Sequence, residues 1–323
     1  MFVLGAPKRI KAEIHARLPD KFRKKARTHW SDANRSGAEI DSFIEGPSFD
    51  RKGNLYFTDI PFGRIFRLSL SGADIELVVQ YDGWPNGLKI HKDGRIFVTD
   101  HKRGLMVLDP ARGTIEPMLE SWHSEGFKGL NDLCFASNGD LYFTDQGQTG
   151  LHDPTGRVYR LTAAGRLERL IGTVPSPNGL VLNRTETQLL LAVTRANAIW
   201  RLPLMRDGSA AKVGTFIQMS GGYGGPDGMA LDEEGGLLVC HLGTGVWRFD
   251  AKGMPTHIVE GPEPSFMTNI AFGGTGNRHL FITEKASRAR FSAPKCRSRG
   301  SHSIRTKASG PPTVHRERRS RAV

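Results

Sequence analysis

Short apolar runs separated by Gly, Asn and Asp recur along this chain, and they alternate with a period near two rather than 3.6. Six of them share one form, a turn followed by a strand: GNLYFTD (53–59), GRIFVTD (94–100), GDLYFTD (139–145), TQLLLAVT (187–194), GGLLVCH (235–241) and RHLFITE (278–284). Their apolar starts at Leu55, Ile96, Leu141, Leu189, Leu237 and Leu280 are 41 to 48 residues apart. Ten to twelve residues before each lies another short strand, beginning at Glu45, Asn86, Asn131, Asn178, Asp227 and Thr268. Most units add a third strand, as in GRIFRLSL (63–70), GRVYRLT (156–162) and GVWRFD (245–250). A fourth follows, as in IELVVQY (75–81) and THIVE (256–260).

Four short strands per forty-odd residues predict an all-β fold, a six-bladed β-propeller with four-stranded blades and a single domain over 41–284. Stacked helical repeats are excluded, because no 3.6-residue spacing is present. Phe57, Phe97, Phe143, Trp200 and Trp247 fall at strand positions and read as core between blades. The last blade reads as incomplete or altered: after Glu284 there is no Leu, Met, Trp or Tyr. Propeller rings are closed by strands from both termini, so the segment 1–40 is expected to help complete that blade.

Charge changes the picture only once it is divided. The 323 residues carry a net +12, which for a whole protein points to an anionic partner. Residues 285–323 hold 12 basic residues and one acid, Glu317, and residues 1–40 hold 10 basic and 4 acidic ones, whereas 41–284 are net negative at −5. The basic tail 285–323 has the composition of a disordered segment. It has neither an amphipathic period nor interleaved aromatics beyond Phe291, so nucleic acid is not the expected partner. Its abrupt departure from the strand pattern suggests a shifted reading frame or an altered C-terminus. No apolar run approaches the 18 or so residues of a membrane span, and Phe2–Ala6 is too short for a signal core. Three dispersed cysteines argue against a disulfide framework or a cysteine metal site. The expectation is a cytoplasmic protein without a membrane partner.

The first position of each innermost strand is presented at one mouth of the propeller channel. Glu45, Asn86, Asn131, Asn178, Asp227 and Thr268 all offer oxygen, and none offers sulfur or imidazole. That is the donor set of a hard divalent cation. Taken singly, Asn-Gly and Asp-Gly are ordinary turn dipeptides; six in register on one axis favour a site. Strand direction brings the 120–130, 146–156, 220–226 and 261–267 loops to the same mouth, making Trp122, His123, Lys128, His152 and Tyr223 candidate lid residues. Asp145 and His241, at second-strand ends, are candidates for orienting the site, although turn and interblade hydrogen bonding is the better reading for the repeated Asp residues. No G-x-S-x-G, Walker, H-E-x-x-H or G-x-G-x-x-G motif competes.

The motifs EGPSFD…NLYFTDI, PNGLKIH, GLNDLCFASNGDLYFTDQ, PSPNGLVLN and GGPDGMALDEEG fall on successive units in order, and they resemble the SMP-30/gluconolactonase (regucalcin-like) family of metal-dependent lactone hydrolases. The resemblance covers about 41–284. It implies that Glu45, Asn178 and Asp227 bind one divalent metal, with Ca²⁺ favoured and Zn²⁺, Mg²⁺ or Mn²⁺ open. It also implies that Asn131 contacts substrate and that Asp227 is the catalytic base; because a bound cation weakens a carboxylate as a base, metal-bound water oriented by Asp227 is the favoured source of the nucleophile. Family members often carry Arg two residues before the Asn131 position; here Gly129 stands there, with Lys128 the nearest cation, and Lys128 and His241 complete the expected substrate contacts. The implied activity is hydrolysis of a sugar lactone or related cyclic ester. A non-catalytic calcium- or partner-binding propeller and a phosphotriesterase using the same metal are the alternatives.

Overall fold

A computed structural model describes residues 5–72, 74–261, 266–285 and 290–293. Its strands form a β-propeller arrangement. Each unit begins with an inner strand: Ile44–Phe49, Pro85–Ile90, Leu130–Phe135, Pro177–Leu182, Pro226–Leu231 and Phe266–Gly273. These inner strands contact one another in chain order, and the last touches the first, so the ring is closed. Antiparallel partners step outward from each, as in the first sheet through Leu55–Asp59, Arg64–Leu68 and Ile75–Gln80.

Local sequence explains these sheets. The second strands LYFTD, IFVTD and LYFTD are buried along their whole length, because both faces pack on neighbouring sheets. Between first and second strands the chain turns through Gly53, Gly94, Gly139 and Gly235, all at positive φ. The core is divided among the sheet–sheet interfaces. Phe57, Phe66 and Phe281 lie between the last and first sheets, for example, and Phe97, Phe143 and Tyr159 between the second and third. Trp200 and Trp247 are partly buried against such clusters.

The expectation of uniform four-stranded units needs correction. Five sheets have four strands; the one starting at Pro226 has five. Its edge strand Pro255–Glu260 leaves a row of backbone groups that Lys8–Lys11 pairs with in parallel. The last sheet also differs from the sequence reading. A third strand, Arg290–Ala293, does follow Glu284, and Glu13–Arg17 pairs outside it. The rest of the basic tail, 286–289 and 294–323, lies outside the described residues, and so does the suggested frame change. Among the described residues, no helix is long and apolar enough to cross a membrane.

Beyond the closing strand, Leu18 inserts into the core between the last and first sheets. The short helix His29–Asn34 then packs with Trp30 against Phe43 and Ile60. Thr28 and Ser31 form its capping box.

Candidate active site

Every inner strand slips register just beyond its first polar position, between Glu45 and Ser48, Pro85 and Leu88, Leu130 and Leu133, Pro177 and Leu180, Pro226 and Met229, and Met267 and Asn269. Asn86-Gly87, Asn178-Gly179 and Asp227-Gly228 are therefore bulges inside strands and not turns, so the local turn reading of these dipeptides does not hold. The glycines are required by closeness to the axis. A Cβ on Gly87 would meet Asp132 Oδ1 at 2.6 Å and Thr99 Oγ1 at 2.7 Å, and one on Gly228 would collide with Asn269. Asp132 and Asn269 occupy the equivalent places in the third and sixth sheets and use the room the glycines leave. Asn269 Nδ2 donates to Asp132 Oδ2 at 3.3 Å across the ring.

The second-strand threonines tie this ring together. Thr58, Thr99 and Thr144 donate to the carbonyls of Asn86, Asn131 and Asn178 in the following sheet, at 2.7, 2.6 and 2.9 Å. Thr268 donates to Ile44 O at 2.9 Å, which gives it a sheet-joining role. Glu45, Asn131, Asn178 and Asp227 are buried, and Asn86 is half-buried.

Burial dominates the electrostatics. The Glu45 carboxyl is pushed up by desolvation and then by Asp227 and Asp132, against hydrogen bonds from Gly46 N (3.0 Å) and Asn269. Asp227 is raised to about 7 by desolvation, with Asp132 adding to the shift, while a hydrogen bond from Asn178 and the charges of Arg35 and Arg195 oppose it. Two carboxylates confined in this way repel unless a proton or a cation lies between them. Among the described residues, no three His, Cys, Asp or Glu side chains stand in metal-holding geometry, so a bound ion would draw on carboxamide oxygen or water as well.

The expected substrate residues divide. Asn131 Nδ2 donates to Gln146 Oε1 at 2.8 Å, and Gln146 Nε2 in turn donates to Ser176 Oγ at 3.0 Å, so the carboxamide is held with its oxygen free of that pair. Lys128 is exposed, and its Nζ reaches Thr155 Oγ1 at 2.5 Å. His241 is buried with both ring nitrogens engaged, Nε2 with Asn197 Oδ1 at 2.8 Å and Nδ1 with Thr244 Oγ1 at 2.7 Å. Asn197 Nδ2 donates to Gly221 O, which fixes the amide and puts the proton on Nε2. Burial lowers the imidazole's pKa, so a neutral, fully bonded ring supports the 220–226 loop.

Asp145 accepts from Gly129 N at 2.8 Å and so anchors the approach to Asn131. Asp59 holds Phe43 N in the same manner ahead of Glu45. At Gly129 a side chain would run into the ring of His101, which lies beside Trp84.

A cavity of about 560 Å³ is lined by Gln146, the partner of Asn131, and by Ser176, Arg195, His152 and Asn34 among others. Of the candidate lid residues, His152 lines it and Tyr223 stands 84% exposed, with its ring 6.0 Å from Phe266. Trp122 instead lies under the Arg169 guanidinium at 4.4 Å. Sequence reasoning did not single out Arg35, Arg195, Gln146, Ser176, Asp132 or Asn269. The slot following each first position was the signal available for Asp132 and Asn269, where a polar side chain replaces the glycine of the other sheets.

Known proteins match the chain over this region. The family described as SMP-30/Gluconolactonase/LRE-like region matches residues 43–286. A lactonase, drp35, from Staphylococcus aureus (strain MRSA252) is 30% identical over 237 residues, which is 70% of this chain and 71% of that protein. A gluconolactonase of Zymomonas mobilis is 29% identical over 269 residues, 74% and 75% of the two chains. Among solved structures, the calcium-binding protein regucalcin from Agrobacterium tumefaciens superposes with a TM-score of 0.72 at 22% identity, covering 90% of this chain and 98% of that one. A gluconolactonase from Xanthomonas campestris gives 0.68 at 24% identity, covering 78% and 86%.

Proposed function

The chain belongs to the SMP-30/gluconolactonase/LRE-like family, and from that premise we propose that it hydrolyses a lactone at the mouth of its propeller, using a divalent cation. Counting the five-stranded sheet with the five four-stranded ones, we read the ring as six-bladed, with 41–284 as the working domain. The observation that carries the proposal is the pair of buried carboxyls, Glu45 and Asp227, both raised in pKa, with Asn178 hydrogen-bonded to Asp227. Relatives named lactonase and gluconolactonase support the reaction class.

The donor set fits a hard divalent ion. Glu45, Asn178 and Asp227 would hold it through oxygen alone, and its charge would offset the burial and the carboxylate repulsion that raise both carboxyls. When bound, such an ion supplies Lewis-acid polarisation of the lactone carbonyl and of water. The remaining work belongs to the chain. Asn131, held by Gln146, presents its carboxamide oxygen to a hydroxyl of the substrate. Asp227 orients the attacking water and accepts its proton at a carboxylate oxygen, a step made easier where a bound cation would acidify that water. Water oxygen bonds to the carbonyl carbon, the ring C–O bond breaks, the ring oxygen gains a proton, and a hydroxy acid leaves. Ca²⁺ is the first choice by ligand hardness, ahead of Mg²⁺, Mn²⁺ and Zn²⁺.

A pH-stat assay over a panel of lactones and phosphotriesters, with each metal in turn, tests the reading. Chelation by EDTA and Asp227→Asn should each remove lactone opening, and isothermal titration should show Ca²⁺ binding weakened in the variant. Full turnover by metal-stripped protein would overturn the mechanism. Ca²⁺ binding without turnover of any ester would favour a non-catalytic propeller, and selective turnover of phosphotriesters would move the substrate class.

A further inference from the structure

Two arginines near the cavity differ from those that a buried carboxylate holds. Arg64, Arg160 and Arg248 are each tied to a buried carboxylate, at Asp59, Asp140 and Asp232 respectively. Arg195, in the short turn Thr194–Ala196, lines the cavity and makes no hydrogen bond or ion pair among the described residues. Arg35 leaves the end of the helix whose Asn34 lines the same cavity. Its guanidinium rests 5.3 Å from the ring centre of Phe43 and 5.8 Å from that of Phe266, and its Nε is buried without a hydrogen-bond partner.

Arg195 lines the cavity from the fourth sheet and Arg35 directly follows Asn34, which lines it from the other side, and the charges of both favour the ionised form of Asp227. Neither is needed to hold the fold by an ion pair. Planar forked donors left open in this way match a carboxylate, which accepts two parallel N–H bonds from each fork. The aromatic support under Arg35 fixes the plane of its fork without neutralising it.

We propose that Arg35 and Arg195 form a receptor for an anionic group on the substrate. The lactones processed here are then those that keep an ionised carboxylate outside the ring, the monolactones of hydroxy diacids, in preference to neutral ones. This rests on the lactone-hydrolysis reading above and adds the substrate class to it.

The test uses the full chain loaded with whichever metal supports turnover, and a matched pair of five-membered lactones, one bearing a ring carboxylate and the other its primary amide. The carboxylate should be preferred in kcat/KM, and added salt should narrow the difference. Arg195→Gln and Arg35→Gln should each lose about 10- to 100-fold on the carboxylate substrate, mainly through KM, as expected for one charge-assisted hydrogen-bonded contact. The loss on the amide should be far smaller, and Arg195→Lys should recover part of it. Equal turnover of acid and amide by the wild type, or equal losses on both in the glutamine variants, would overturn the proposal, the latter meaning that the arginines act only through Asp227. If no lactone is opened, the hydrolysis reading fails separately. Calorimetry with the open-chain hydroxy diacid then decides the receptor: binding by the wild type that Arg195→Gln weakens supports it, and no binding or unchanged binding rejects it.

Discussion

Glycine at 228 and aspartate at 145 show how much single positions near the axis are asked to do. Gly228 has an ordinary negative φ, so alanine there would be strained only by contact, and the contact is with Asn269 of the adjacent inner strand. Gly228→Ala should therefore cost about 1–3 kcal/mol in urea unfolding, the range for an overpacked interior, and should loosen the Asn269–Asp132 bond across the ring. Asp145 is a different case. It is fully buried, its Oδ2 has no hydrogen-bond partner, and Arg157 Nη1 is 3.9 Å away. Desolvation raises its pKa from 3.8 to about 6 despite Gly129 N and Arg157. Between those values the folded protein binds more protons at this site than the unfolded chain, so the site's contribution is most favourable below pH 3.8 and is lost as the pH rises through 6. Asp145→Asn retains an acceptor for Gly129 N. Relative to wild type it should gain on the order of 2–3 kcal/mol between pH 4 and pH 7, measured as the difference of two denaturation series. The polar slots themselves were legible from spacing, because a repeat places equivalent residues on one axis. What filled the space between them was not, since the clearance at Gly87 or Gly228 depends on the neighbouring sheet.

At the scale of elements, the second strands could be read directly, because burial along their whole length selects runs such as LYFTD and IFVTD. The closing strands could not. Lys8–Lys11 and Glu13–Arg17 read as charged and solvated because they lie at sheet edges, where one row of side chains faces water. Arg290–Ala293, paired on both sides by Glu13–Arg17 and His279–Lys285, was hidden because it falls within a basic stretch. Leu18 is the exception: 2% exposed, it joins Phe57, Phe66 and Phe281 between the last and first sheets. Leu18→Ala should cost about 2–5 kcal/mol, the usual range for a leucine removed from a packed core. If the N-terminal segment closes the ring cooperatively, amide exchange should speed up in both the last and the first sheets, not in one alone.

For the whole molecule, the net charge of +12 misdirects until it is divided, because the segment that holds the site is net negative. The division also locates what sequence could not find, since Arg35 belongs to the basic N-terminal segment and is seated by packing against Phe43 and Phe266. The seat of that arginine has a consequence for the order of events during synthesis. Arg35 is translated early, but one of the two rings supporting it, Phe266, belongs to the last sheet. A nascent chain can assemble its middle sheets as they emerge, each pairing with its neighbour, while the first segment waits for contacts more than 200 residues downstream, such as Glu13 with Ala293. Pairing of the two ends and completion of the site's rim are thus one late step, and a chain stopped short of it would be largely structured and yet unable to seat Arg35.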